Sequence, residues 1–427
     1  MSYPGVLLRC GGAVFRNTPA PCHALHTLLW VATLVYLEGA PGGWALSGVR
    51  MNVSKIILGV LEMLASIGST HVMAAGDPLI EQDPVVLRFV ERAIPWHPDS
   101  SFRVVADDRR QTPSGSYRIV RVSRTCDNKI LTGEPSVVID EVTGLAYLGS
   151  VGELPFQQSG AAPRSLRSFL EGFLPEVLQQ NMNMRVRVSW DEPEGSTSGA
   201  IIPFNLMVET GYGEFAKPTA VTSDGSYLIM GAGMPLDGDP VAIRRALFGE
   251  SDFVVWDHNG GDKTSVEIVE FSDLECPACK AKWSMVKRVL EANSGAVRHG
   301  MVSFPLTSIH PWAFRASSAT WCIGELDGKQ LIPFKELFYD LQREMEVRLV
   351  TQTSVDFVAG QGLDETLFRG CYLRNASLAA VHSQLALGHQ VGVNATPTYF
   401  VNGWMIQMPG EEWFPDLIAR LARGEEP

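Results

Sequence analysis

The run VEIVEFSDLECPACKAKW, residues 266–283, restricts the fold more than any other stretch of this chain. VEIVEF has the alternating, β-branched character of a strand. Pro277 then stands where the first turn of a helix tolerates a missing N–H. Trp283, Val286 and Leu290 continue a helical stripe. A strand–turn–helix of this kind puts Cys276 at the positive end of a helix dipole, where free N–H groups favour a thiolate. Cys279, one turn later and more buried, is then expected to be the resolving thiol.

Three readings of the pair compete. Zinc takes four ligands, usually as two paired spacings, and the chain has neither a second C-x-x-C nor an H-x₃₋₅-H. A purely structural bridge gains little from so short a loop. A redox dithiol agrees with the local sequence. VGVNATPTYFVNG (391–403) adds Thr396-Pro397 ahead of a β-branched and aromatic strand and an Asn-Gly turn. Proline before a strand is often only an edge residue. Beside a dithiol it reads as a cis-proline loop facing the cysteines.

FSDLECPAC, ATPTYFVNG and the helical sequence between them resemble the DsbA-type family of thioredoxin-fold thiol-disulfide oxidoreductases, over residues 264–427. The resemblance implies an α/β thioredoxin fold with a helical insertion at about 310–390, where HPWAFRASSATWC and FKELFYDLQ carry helical stripes. It also implies roles. Cys276 is the nucleophile, Cys279 the resolving cysteine, and Pro277 and Ala278 the active-site dipeptide. Thr396 and Pro397 line the substrate groove. Glu270 matches a buried acid that relays protons near the dithiol, the alternative being an ordinary strand-end carboxylate. Cys322 and Cys371, both in the insertion, either form a structural disulfide, as in some members, or stay buried and free. His310, before Pro311, either flanks the site or caps a helix.

The chain departs from DsbA in its dipeptide: Pro-Ala replaces Pro-His, which removes a cation from the thiolate. DsbA lies at about −120 mV and thioredoxin at about −270 mV, and the dipeptide points to the middle of that span. Threonine before the proline is closer to the isomerase relatives. SDGSYLIMGAGMPLDGDP (223–240) resembles the segment after their cystatin-like dimerisation domain.

With 427 residues and 45% hydrophobic content the chain has room for further domains. PVVLRFVERAIP (84–95) and RSLRSFLEGFLP (164–175) carry the same helical stripe at an offset of 80, and each helix is expected to end at its proline, Pro95 or Pro175. FRVVA and VRVSW follow, then Ser114-Gly115 with Ser198-Gly199, then Gly149 with Gly231. Residues 77–160 and 161–250 are therefore expected to be two tandem α+β (cystatin-like) repeats, followed by a linker at 251–263 and the thioredoxin-like domain at 264–427. The repeats would support a homodimer or stand in for one, or grip clients. They hold no catalytic constellation. Cys126 reads as an incidental thiol in a polar turn, and Asp191, Glu192 and Glu194 as a solvated loop.

Residues 1–76 read as a leader. LHTLLWVATLVYL (25–37) is short for a membrane span. From Met51 onward, a lysine, an apolar stretch and small residues fit a signal peptide. That predicts a periplasmic or other extracytoplasmic protein, with anchoring by the leader as the alternative. The net charge of −12 and the lack of a polybasic run argue against nucleic acid and anionic membrane surfaces as partners. The chain thus reads as an exported enzyme exchanging disulfides with protein thiols, as oxidase or isomerase, without metal or organic cofactor. The alternatives are a reductase recharged by a membrane electron donor and a chaperone-like or redox-sensing client-binding module.

Overall fold

The computed structural model describes residues 82–126, 129–130, 135–158, 165–182, 184–191, 199–256 and 265–425. The segment expected to be a leader with a signal peptide, Cys10 and Cys22, and Glu192, Glu194 and Ser198, lie outside the described residues.

The N-terminal half runs α1 (Pro84–Ala93), β1 (Ser100–Thr112), β2 (Gly115–Cys126), β3 (Lys129–Ile130), β4 (Ser136–Asp140), β5 (Leu145–Leu148), β6 (Ser150–Glu153), α2 (Leu166–Met182), β7 (Val186–Ser189), β8 (Ile201–Thr210), β9 (Gly213–Thr222), β10 (Tyr227–Met230) and β11 (Gly233–Pro235). Asp83 caps α1 by accepting from the Val85 and Val86 N–H groups. The helix stops before Pro95, as its sequence predicts. The second helix does not. α2 passes through Pro175 to Met182, although an interior proline costs about 3 kcal/mol. The helix continues because Leu170, Leu174 and Leu178 extend one apolar stripe onto Val186, Val188 and Leu206.

Two antiparallel sheets follow, ordered β1-β2-β4-β5-β11, with β3 on β2, and β6-β10-β9-β8-β7. The last strand of each unit crosses to the other's sheet: β6 pairs with β10 and β11 with β5. Gly149 and Gly231 lie where the crossings meet. A Cβ on Gly149 would stand 2.1 Å from the Met230 carbonyl oxygen, and one on Gly231 2.5 Å from that of Leu148. Only glycine allows that approach. Each outer face is covered by its own helix, and the inner faces meet through Tyr117, Val138 and Tyr147 against Ile201, Ala220 and Ile229.

The C-terminal half runs α3 (Pro240–Glu250), β12 (Val255–Trp256), β13 (Val266–Ser272), α4 (Pro277–Ala292), β14 (Val297–Ser303), α5 (Ala313–Leu326), α6 (Leu331–Asp340), α7 (Val347–Gly360), α8 (Glu365–Tyr372), α9 (Asn375–Gln390), β15 (Thr398–Val401), β16 (Trp404–Gln407) and α10 (Phe414–Ala422). The sheet order is β12-β14-β13-β15-β16, with β13 parallel to β14 and antiparallel to β15. This is a thioredoxin fold with α5–α9 inserted between β14 and β15.

Two boundaries differ from expectation. Residues 251–263 are not only a linker, since β12 lies within them and pairs with β14; two residues are too few to leave a periodic signal. α3, within the span 161–250 assigned to the second repeat, packs Phe248 on Phe271 and Phe400 of the thioredoxin sheet. Arg244 of α3, 1% exposed, donates to the Arg92 and Ala93 carbonyls at the end of α1. The tip of the β8–β9 hairpin stacks Tyr212 on Phe314 of α5, 4.5 Å between ring centres. The N-terminal half is therefore docked on the thioredoxin domain at two separate places.

Cys322 of α5 and Cys371 of α8 are bonded across a sequence separation of 49. A closed loop of that length removes about 4 kcal/mol of unfolded-state entropy. Replacing both cysteines by alanine is expected to cost roughly 3–4 kcal/mol in urea unfolding. A loss below about 1 kcal/mol would mean that the bridge does not constrain the protein in solution.

Candidate active site

The central strand β13 buries both faces. Val269 and Phe271 face one core, and Val266 and Ile268 the other, toward α4. Period-two alternation then aims Glu270 into the second, apolar layer. There its carboxylate, 0% exposed, meets Lys335 Nζ of α6 at 2.5 Å and His299 Nε2 of β14 at 3.0 Å. Lys335 is also fully buried and lies 4.0 Å over the Trp283 ring of α4. Burial pushes the Glu270 carboxyl up, but the Lys335 charge and the His299 contact outweigh it and bring the group to about 2. A buried ion pair of this kind is an expensive arrangement.

Beyond Ser272 the chain turns around Asp273. The Asp273 carboxylate accepts from the N–H groups of Glu275 (2.8 Å) and Leu306 (2.9 Å), and its carbonyl accepts the Cys276 N–H at 3.1 Å. Cys276 is the N-cap of α4, and Pro277 begins the helix. Cys276 is 6% exposed and Cys279 0%. A hydrogen bond from Cys279 is the chief reason that the Cys276 thiol falls to about 6, with help from Thr396 and from the Cys279 and Ala278 N–H groups, against burial. Burial first, and the Cys276 sulfur second, push the Cys279 thiol well above the ordinary cysteine range. Ser272 touches Cys279 from behind and shares a 3.1 Å hydrogen bond with the Tyr339 hydroxyl.

The Thr396–Pro397 peptide is cis, and the Thr396 carbonyl oxygen lies 3.6 Å from Cys276 Sγ. On the other flank Glu275, Pro311, Trp312, Met345 and Val347 line a cleft of about 430 Å³. Cys276, Cys279, Pro277, Ala278, Thr396 and Pro397 therefore share one end of the sheet, with Glu270 a layer below. Cys322 and Cys371 lie apart, in the insertion. Cys126 is also elsewhere, 3.1 Å from His97 Nδ1.

Sequence reasoning missed two partners. Lys335, in FKELFYDLQ, looks like any polar residue on an amphipathic helix. His299 sits in the strand VRHGMVS with no local signal. Their shared feature is visible only in three dimensions: both converge on Glu270. Among the described residues no group of three His, Cys, Asp or Glu side chains gathers to hold a metal.

Residues 257–418 match the family model described as Thioredoxin. Two curated relatives, Na(+)/H(+) antiporter NhaA 3 of Salinispora tropica and NhaA 1 of Salinispora arenicola, are 27% and 26% identical over 174 residues, 38% of this chain. The chain spans about a quarter, 26%, of the length of each. Among solved structures, the thiol-disulfide exchange protein alpha-DsbA2 from Wolbachia pipientis is 16% identical with a TM-score of 0.36, covering 43% of this chain and 98% of that one. BdbD from Bacillus subtilis is 20% identical, TM-score 0.35, covering 39% and 91%. The catalytic domain of Proteus mirabilis ScsC is 15% identical, TM-score 0.36, covering 43% and 97%.

Proposed function

Taking residues 257–418 as a thioredoxin-family domain, we propose that this chain exchanges disulfides with protein thiols through Cys276 and Cys279. The observation that carries this reading is the asymmetry of the pair. One sulfur stands at a helix N-terminus with its thiol at about 6, and the other is buried behind it with its thiol raised. Such a pair has one attacking and one resolving member.

The Cys276 thiolate attacks a client disulfide, forming a Cys276–client bond while the electron pair leaves on the second client sulfur, which takes a proton from water. Cys279 then gives up its proton and attacks Cys276. The Cys276–Cys279 bond forms, and the remaining client sulfur departs as a thiolate. The reverse sequence donates a disulfide. Thr396 and Pro397 form the wall along which an extended client segment lies.

We favour an oxidase or isomerase in an extracytoplasmic space, supported by the Cys322–Cys371 bond, which persists where the surroundings are oxidising. The two N-terminal units pair with each other by exchanging β6 and β11, so one chain supplies the pairing that a homodimer would supply. Ion transport is not proposed, because the chain spans only a quarter of the antiporters.

The test is the reduction potential of the Cys276–Cys279 pair, equilibrated against glutathione buffers, with Cys322 and Cys371 followed separately. A value above about −190 mV supports delivery of disulfides to clients. A value near −270 mV would replace it with a thioredoxin-like reductase that needs an electron donor. No exchange with insulin or glutathione would end the oxidoreductase reading.

A further inference from the structure

The dipeptide between the two cysteines carries no cation, yet a histidine reaches the site from elsewhere. The loop from Phe304 to Trp312, which leads from β14 into α5, is tied to the turn before Cys276 at several points. The Phe304 N–H donates to the Ser272 carbonyl at 2.8 Å, the Leu306 N–H to the Asp273 carboxylate at 2.9 Å, and the Trp312 N–H to the Glu275 carboxylate at 2.7 Å. His310 stands inside this bracket. Its Nδ1 lies 2.6 Å from Asp273 Oδ2, and its side chain is 12% exposed against 0% for Asp273. A carboxylate only accepts, so Nδ1 carries the hydrogen and Nε2 is left to take a second proton. Asp273 thus holds His310 with its side chain and Cys276 with its backbone carbonyl.

We propose that His310, clamped by Asp273, supplies the positive charge that Pro277-Ala278 lacks, acting as a positioning residue that keeps the Cys276 sulfur ionised. This rests on the exchange reading above and names a residue that sets its strength. The groups facing the imidazole are Asp273 and Glu275 on the turn and Cys276 on α4, all of which favour its protonated form; Asp273 has the largest effect. Around the sulfur itself stand Cys279, Thr396 and Tyr399. His310 acts doubly. Its positive charge interacts with Cys276, and it neutralises the fully buried carboxylate of Asp273, three residues before Cys276, whose negative charge would otherwise disfavour the thiolate.

His310→Gln keeps a hydrogen-bonding side chain and loses the charge; His310→Lys keeps the charge. Titration of the 240 nm thiolate absorbance should show the Cys276 pKa rising by about one unit in the glutamine variant, with the lysine variant near wild type. From about 6, such a rise makes the reduced form about fivefold less favourable at pH 7. At 29.6 mV per tenfold, that lowers the potential by ~20 mV. An independent measurement needs no variant. Because linkage is reciprocal, oxidising the dithiol in the wild-type chain should lower the His310 pKa, followed by NMR of its ring proton, by the same amount.

A Cys276 titration unchanged in a folded His310→Gln overturns the proposal, as does a His310 titration identical in the two redox states. Should the glutamine variant not fold, the NMR comparison decides. A wild-type protein with an ordinary Cys276 thiol that fails to exchange disulfides would instead overturn the exchange reading itself.

Discussion

Cys279→Ser, reduced and offered a disulfide-containing client, is expected to stall as a mixed disulfide through Cys276, with turnover reduced by at least ~10³-fold. The physical reason is intramolecularity. A well-placed second thiol acts at an effective concentration above about 10⁵ M, which external thiols near 1 mM cannot replace. Cys276→Ser should not trap clients at all, because the remaining Cys279 is fully buried and its thiol is raised well above the usual range. The trapping rate should rise with pH as Cys276 ionises and then level off, at a pH no lower than about 6, because serine replaces the Cys279 thiol that is the chief cause of that value. Non-reducing gels with and without reductant measure the adduct directly. Equal trapping by the two variants would contradict the assigned order of attack, and no trapping by either would contradict the chemistry.

The second large effect concerns stability. Glu270→Gln is expected to cost about 3–5 kcal/mol, because it leaves Lys335 buried without its counter-charge. The pH dependence has a definite sign. The folded carboxyl is lowered from an ordinary 4.5 to about 2. Its contribution is therefore present above about 4.5 and is lost as pH falls toward 2. The shift corresponds to roughly 3 kcal/mol at neutral pH. The gap between wild type and Glu270→Gln in urea unfolding should thus shrink to roughly half between pH 7 and pH 3. Lys335→Met should cost a similar amount. The double variant Glu270→Gln/Lys335→Met should recover much of the loss, since no buried charge remains to be compensated and methionine fits against Trp283. Single variants that cost under 1 kcal/mol, or a gap insensitive to pH, would show that the pair is not held as an ion pair in solution.

Much of the candidate site was legible because it is local. The N-cap position of Cys276 follows from a strand, a turn and Pro277 within a dozen residues. The proline loop was recognisable from Thr396-Pro397 ahead of β15 for the same reason. Gly149 and Gly231, which the sequence places in matching positions, lie at one close backbone crossing, and that crossing imposes glycine at both.

What the sequence by itself determined is therefore the strand, turn and helix that carry Cys276 and Cys279 and the proline ahead of β15, each set by contacts within a few residues. Tertiary structure alone decided the rest. Exchange of β6 and β11 depends on pairing across some 80 residues, and α2 runs through Pro175 because packing, not local preference, holds it. The partners of Glu270 come from β14 and α6, 29 and 65 residues away, and His310 reaches Asp273 across 37. Electrostatic fields act through space, so the groups that set the charges of this site are neighbours only once the chain has folded.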